Sequence, residues 1–323
     1  MRIERLRAYA WTTLAVTLGV ILWGAYVRVS GSGAGCGKEW PICKGKLLPT
    51  MTSLEMFVEY AHRASSGVIT VMVMVLLAWS LYALPRRHPG RAGALASAFF
   101  VLTEGAVGAA IVLFERVARD KSAARAAWMS LHLINTFLLI ASIACTAWWI
   151  SGGAAPRART RLGGGSGVGG LLAGGVAALL VVGVTGALTA LGDTLFGAKT
   201  LAEGVAADFS PTAHFLQQIR VLHPIAAVLA AVYLLYARGA VAAAGGPETR
   251  RLSTILGALV IGQLGLGAVN LVLLAPGWLQ LVHLLVADLV WIAFVLLGAA
   301  ALGEAGAEQA SGPHGEGALA ARP

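Results

Sequence analysis

The sequence predicts an all-α integral membrane protein of eight transmembrane helices, built as two tandem, parallel four-helix bundles. Three observations carry this reading. Apolar residues make up 58% of the 323 residues and charged residues only 12%, and the apolar ones gather into runs of about 20, the length a helix needs to cross a bilayer core. Arginines concentrate on alternate connections between the runs. A histidine recurs near the start of every even-numbered run.

The first run, residues 9–28, follows Arg2, Arg5 and Arg7. Its apolar stretch is too long for the core of a cleaved signal peptide, so it reads as a retained helix. Further runs cover residues 59–84, 93–114 and 127–150, then 169–190, 216–237, 253–274 and 278–302. They are continuously apolar, which favours helices over a barrel of alternating strands. The chain thus divides into an N-terminal half (1–150), a cytoplasmic linker rich in Gly, Ala and Arg (151–168), a C-terminal half (169–302) and a tail (303–323). The tail lacks apolar periodicity and is expected to be disordered.

Orientation follows from the arginines. Arg2/Arg5/Arg7, Arg86/Arg87/Arg91, Arg157/Arg159/Arg161 and Arg238/Arg250/Arg251 mark four alternate segments as cytoplasmic, both termini included. The other connections mix signs, as around Glu115–Arg125, or lean acidic, as at Asp193, Glu203 and Asp208. These face outward, in a prokaryotic plasma membrane. The net charge of +9 is therefore mostly a topology signal and gives no reason to expect nucleic acid as a partner; the surface meets membrane lipid. Cys36 and Cys43 fall in the first outer loop, where an oxidising compartment permits a disulfide, while Cys145 is a small packing residue of helix four.

The halves overlay through their histidines. Glu59-x-x-His62 matches Arg220-x-x-His223 at an offset of 161, Glu104-x-x-x-Gly108 matches Gln263-x-x-x-Gly267 at 159, and His132 matches His283 at 151. Offsets this similar indicate a repeat, parallel because each half has an even number of helices. The four histidines then share one depth in the outer leaflet, and within each half two of them can face one another across the bundle. Such a pair suits the two axial imidazoles of one heme or the walls of a heme-sized pocket. A lone intramembrane histidine often only bonds a neighbouring helix, but four at matched positions argue for function. Zinc is a weaker alternative, since its sites usually add Cys or carboxylate ligands nearby.

The halves are chemically unequal. A carboxylate at Glu59 beside a heme pocket can take protons or stabilise positive charge, whereas arginine at the matched Arg220 suits a heme propionate. Glu59 pairing with Arg63 at the membrane edge is the plainer alternative. Glu104 and Asp288 are intramembrane acids fit for a proton path or for a structural hydrogen bond. Gly67, Gly105, Gly108, Gly265 and Gly267 would admit close helices or a flat macrocycle.

The stretch from Gly24 through Arg28, Gly33 and Cys36 to Trp40-Pro41-x-Cys43-x-Gly45 resembles the end of helix one and the first outer loop of heme A synthases. Glu59-Tyr-Ala-His62-Arg63 matches that family's Glu-x-x-His-Arg motif, and the likeness runs through all eight helices. The resemblance implies oxidation of the C8 methyl of heme O to the formyl group of heme A for terminal oxidases. It implies that His223 and His283 ligate a resident heme b, that His62 and His132, with Arg63 and Arg28, line the heme O site, and that Glu59 is the catalytic carboxylate. Cys36 and Cys43 match a pair that forms a disulfide in many members, as a redox control or a plain staple. The chain departs from the family in having Glu104 where Gln is commoner, and in the charged connection 115–126.

Partners implied are heme O, heme O synthase and an unidentified electron donor, with a homo-oligomer left open. Rival readings are a non-catalytic di-heme b-type cytochrome and a heme carrier or assembly factor. Two stacked permanent hemes would favour histidines at two depths rather than one. Heme O synthase itself is disfavoured, because the chain has no close pair of aspartates for magnesium and diphosphate.

Overall fold

A computed structural model describes residues 2–155 and 167–311. Eight helices are long and apolar enough to cross a membrane. They are α1 (Arg2–Val29), α2 (Leu54–Ala83), α3 (Pro89–Leu113), α4 (Ala123–Ile150), α5 (Val168–Leu195), α8 (Leu222–Ala243) with its lead-in, α9 (Pro247–Val272) and α10 (Gly277–Ser311). Two short helices, α6 (Leu201–Asp208) and α7 (Phe215–Gln218), lie between α5 and α8.

The helices outrun their apolar cores because polar residues end them. Ser53 caps α2 by accepting from the Met56 N–H, Ser122 caps α4 by accepting from the Arg125 N–H, and His88 caps α3 with Pro89 in its first turn. A side chain that satisfies an orphan N–H here stabilises a helix end by about 1 kcal/mol. The sixth span is interrupted: α7 passes through a 3-10 turn, Ile219–Val221, into α8. Pro224 explains the break, since it cannot donate back to the Arg220 carbonyl and its ring crowds that turn. Thr189 Oγ1 donates to the freed carbonyl at 3.5 Å.

In the N-terminal half α1 and α3 each pack against both α2 and α4; in the C-terminal half α5 and α9 each pack against both α8 and α10. Across the middle, α4 meets α5 and α10, and α1 meets α10 and α5. The most apolar stretch is 61% buried in α4 and α10 but at most 28% in the other spans, which makes these two the central helices and leaves the rest to face lipid. Phe137 and Trp291 stack at 5.1 Å between them, and Trp291 Nε1 donates to the Phe137 carbonyl at 2.8 Å. With its only donor satisfied, the indole is buried at full apolar gain.

The short helix α6 carries no hydropathy signal, and α10 runs through Ser311. Residues 312–323, and the linker residues 156–166 with Arg157, Arg159 and Arg161, lie outside the described residues.

Candidate functional site

The first outer loop is fastened onto the start of α2. Cys36 and Cys43 form a disulfide and pack, both fully buried, against Met56 and Tyr60. Gly35 lies so close to the α2 backbone that a Cβ there would sit 2.5 Å from the Glu55 carbonyl; a side chain at this point would push the loop away. Glu59, 4% exposed, accepts from the Cys36 N–H at 2.8 Å through Oε2 and from Arg63 through Oε1. Arg63 also donates to the Ile42 carbonyl at 2.8 Å. The Glu59–Arg63 pair weighed as the plainer alternative therefore forms, and it also anchors the loop. Charged hydrogen bonds of this kind keep a buried carboxylate in one orientation.

Each of the four histidines lies near the start of its helix and meets a glycine on a neighbour. A Cβ on Gly24 of α1 would stand 2.8 Å from His62 Cε1, and one on Gly186 of α5 would stand 2.9 Å from His223 Cε1. On Gly267 of α9 it would be 3.3 Å from His283 Cε1, and on Gly108 of α3 it would be 3.9 Å from His132 Cε1. Gly24 and Gly186 are 162 residues apart, Gly108 and Gly267 159, so the same socket is built twice. At Gly24, Gly186 and Gly267 the facing imidazole occupies the space that a side chain would need. Gly67, Gly105 and Gly265 have no atom within 4 Å of a built Cβ and face open space. Gly24 and Gly186 were not singled out as sockets from the sequence, although the repeat offset marks both.

The histidine partners differ between halves. His132 Nδ1 lies 3.3 Å from Glu104 Oε1, and Glu104 accepts from Asn135 Nδ2 at 2.6 Å and from the Thr136 hydroxyl. At the matched position Gln263 Nε2 is 3.2 Å from His283 Nε2 and donates to the His283 carbonyl at 3.0 Å. Thr185 Oγ1 is 3.4 Å from His223 Nδ1.

The cations differ too. Arg220, the propionate candidate, donates from Nε to Asp208 at 2.9 Å and from Nη1 to Asp193 at 3.0 Å, so two carboxylates already satisfy its charge. Asp193 and Asp208 were legible only as acidic outer residues. Arg28 reaches out of its own half, donating to the Ala190 carbonyl and Thr194 Oγ1 of α5 at 2.7 Å each and to Gln280 Oε1 of α10 at 3.0 Å. All three acceptors are uncharged. Asp288, fully buried in α10, has no hydrogen-bond partner for either oxygen.

His223 and His283 are brought together at a spacing that two ligands of one heme iron would need, with His283 Nε2 3.2 Å from Gln263 Nε2. Their ring centroids are 6.4 Å apart with planes at 89°. Two imidazoles on one metal, each nitrogen about 2 Å from it and about 1 Å ahead of its ring centre, need roughly that spacing. Among the described residues no group of three or more His, Cys, Asp and Glu is placed to hold a metal ion.

Over 307 residues the chain is 45% identical to a protein of Thermus thermophilus named Protoheme IX farnesyltransferase, covering 95% of this chain and 50% of the relative. It spans about half the length of the Thermus relatives it matches. It is 36% identical over 111 residues to the heme A synthase of Alkalihalophilus pseudofirmus, covering 34% of this chain and 37% of the relative. With the heme A synthase of Exiguobacterium sibiricum it shares 38% identity over 97 residues, 30% of this chain and 33% of the relative. The model of the COX15-CtaA family, described as cytochrome oxidase assembly protein, matches residues 7–295, and the chain, a multi-pass membrane protein, belongs to that family.

Proposed function

We propose that the protein is a heme A synthase, oxidising the C8 methyl of heme O to a formyl group, with substrate held by the N-terminal half and a resident heme b by the C-terminal half. The observation that carries this reading is the inequality of the two matched histidine pairs. Beside His62 stands the carboxylate of Glu59, held by the outer loop. Beside His223 stands Arg220, closed off by Asp193 and Asp208.

A heme b held by His223 and His283 supplies one-electron chemistry when bound. The work of this chain's own residues lies in the other half. Glu59 sits one turn before His62 on the same helix face, and a fixed negative charge there stabilises positive charge developing on the methyl carbon or accepts its proton. Converting that methyl to a formyl group removes four electrons and takes up one oxygen atom, so the reaction needs an external electron acceptor and an oxygen donor, water or dioxygen. Arg28, whose acceptors are all neutral, is the guanidinium with charge to offer a propionate at the seam between halves. The arginine pattern supports an orientation with both termini cytoplasmic and the histidines toward the outer face.

The Thermus relatives, about twice as long, carry the name of a farnesyltransferase acting on protoheme IX. A sequence like this one joined to such an activity supports the farnesylated heme O as substrate and heme O synthase as partner. The test is extracted-heme analysis of cells that make heme O. Wild type should accumulate heme A and Glu59→Ala should not; unchanged heme A in Glu59→Ala removes Glu59 from the reaction, and none from wild type favours a di-heme cytochrome.

A further inference from the structure

The Glu104 cluster of α3 and α4 plays no part in the scheme above. Glu104 is an acid in the middle of a membrane span, most of its surface buried. Its carboxylate is tied down by Asn135 Nδ2 at 2.6 Å and by the Thr136 hydroxyl. Asn135 is itself locked, donating to the Phe100 carbonyl at 2.9 Å and accepting from Thr103 Oγ1 at 2.7 Å. Its remaining contact is His132 Nδ1, 3.3 Å from Oε1, close but not aligned as a hydrogen bond. Among the described residues no other acceptor reaches that nitrogen.

The repeat supplies an internal comparison. Where Glu104 meets His132, the neutral amide of Gln263 meets His283, and His283 Nδ1 is left without a partner. Among the described residues, His132 is the one of the four matched histidines with a carboxylate against a ring nitrogen. A histidine that donates its distal N–H to a carboxylate is fixed in one tautomer and becomes a stronger donor through the other nitrogen.

We propose that Glu104 is a positioning residue of the substrate site: it takes the Nδ1–H of His132, turns Nε2 toward the porphyrin iron, and makes His132 the strongest of the four imidazole donors. The inference rests on the reading that His62 and His132 hold the substrate heme. It gives that heme iron a lower reduction potential than an amide at position 104 would allow, so the two hemes of the protein are set apart by one carboxylate in addition to their macrocycles.

The test uses the full chain purified from cells that make heme O, titrated spectroelectrochemically. Glu104→Gln keeps one oxygen, for Asn135 Nδ2 or for the Thr136 hydroxyl, while removing the charge. It should shift the midpoint potential of the heme O component upward and leave the heme b component in place. An unshifted heme O potential overturns the proposal. His132→Ala separates the two levels of argument: if the heme O component survives that change, His132 is no ligand and the underlying reading of the site falls, together with the inference. If His132→Ala removes it while Glu104→Gln shifts nothing, the inference alone falls. Should Glu104→Gln fail to fold, 15N spectra of histidine-labelled wild type from cells lacking heme O, assigned against His132→Ala, decide the point. The Nδ1–H tautomer at His132 is expected, and the Nε2–H tautomer would overturn the proposal.

Discussion

Replacing Gly24 by alanine puts a methyl group 2.8 Å from Cε1 and 3.0 Å from Nε2 of His62. Carbon atoms rest comfortably at about 3.5–4.0 Å, so the ring or the helix must yield by roughly half an ångström to one ångström. The ring is the softer element, because His62 Nδ1 has no hydrogen bond to hold it. A displacement of that order at a reacting centre costs up to about 100-fold in rate, or about 2.7 kcal/mol of barrier. Gly19→Ala is the control: on the same helix, nothing lies within 4 Å of a Cβ built there, and alanine favours a helix interior over glycine by about 0.5–1 kcal/mol. The assay is heme A formed per unit of purified protein, with heme b measured in the same sample by pyridine hemochrome. Gly24→Ala should lose about 10- to 100-fold of heme A formation with heme b retained, and Gly19→Ala should match wild type. Gly186→Ala, whose methyl would meet His223 at 2.9 Å, should instead lose heme b. Full heme A formation by Gly24→Ala, or equal damage from Gly19→Ala, would refute the socket argument.

Asp288→Leu removes two buried oxygens that have no partner; burying a polar group without a bond costs about 1–3 kcal/mol, so the variant should melt higher in detergent, and a lower melting temperature would show that Asp288 is satisfied by something bound. The double change Cys36→Ser with Cys43→Ser opens a crosslink of sequence separation 7, worth about 2–3 kcal/mol of loop order; protease should then cut within residues 30–50 faster while heme b content stays constant. Outside the membrane, burial raises the Asp120 carboxyl but the hydrogen bonds from Ser122 and Arg116 outweigh it and hold it below the ordinary value. A group depressed on folding stabilises above its unfolded pKa and ceases to do so as pH falls through the folded one, so the protection of amides at the start of α4, measured as exchange relative to the unfolded chain at the same pH, should fall in acid for wild type and stay constant with pH in Asp120→Asn.

Much of the fold was legible because a bilayer forces every backbone group into a helix and writes its thickness into the run lengths. The four histidines were legible for a related reason: a polar ring in that layer is conspicuous. What stayed hidden were the partners. Nothing local marks Gly24 or Gly186 as imidazole sockets among the many glycines of the spans; only the offset between them does. Arg220 reads as a free cation until the fold brings Asp193 and Asp208 to it from an outer connection whose short helix, α6, has too few residues for a hydropathy signal. Arg28 reads as part of the first half by its place in the chain, but its reach across to α5 and α10 is a matter of tertiary packing. The Glu59–Arg63 pair was foreseeable from spacing, whereas the Cys36 N–H that completes it depends on how the outer loop folds back.

The central claim is that the two histidine pairs have different tenants. Heme content of purified His62→Ala and His223→Ala, each from cells that make heme O, tests it directly. His223→Ala should lack tightly held heme b, while His62→Ala should keep heme b and fail to form heme A. Loss of heme b from His62→Ala with full retention in His223→Ala would contradict the assignment of the halves.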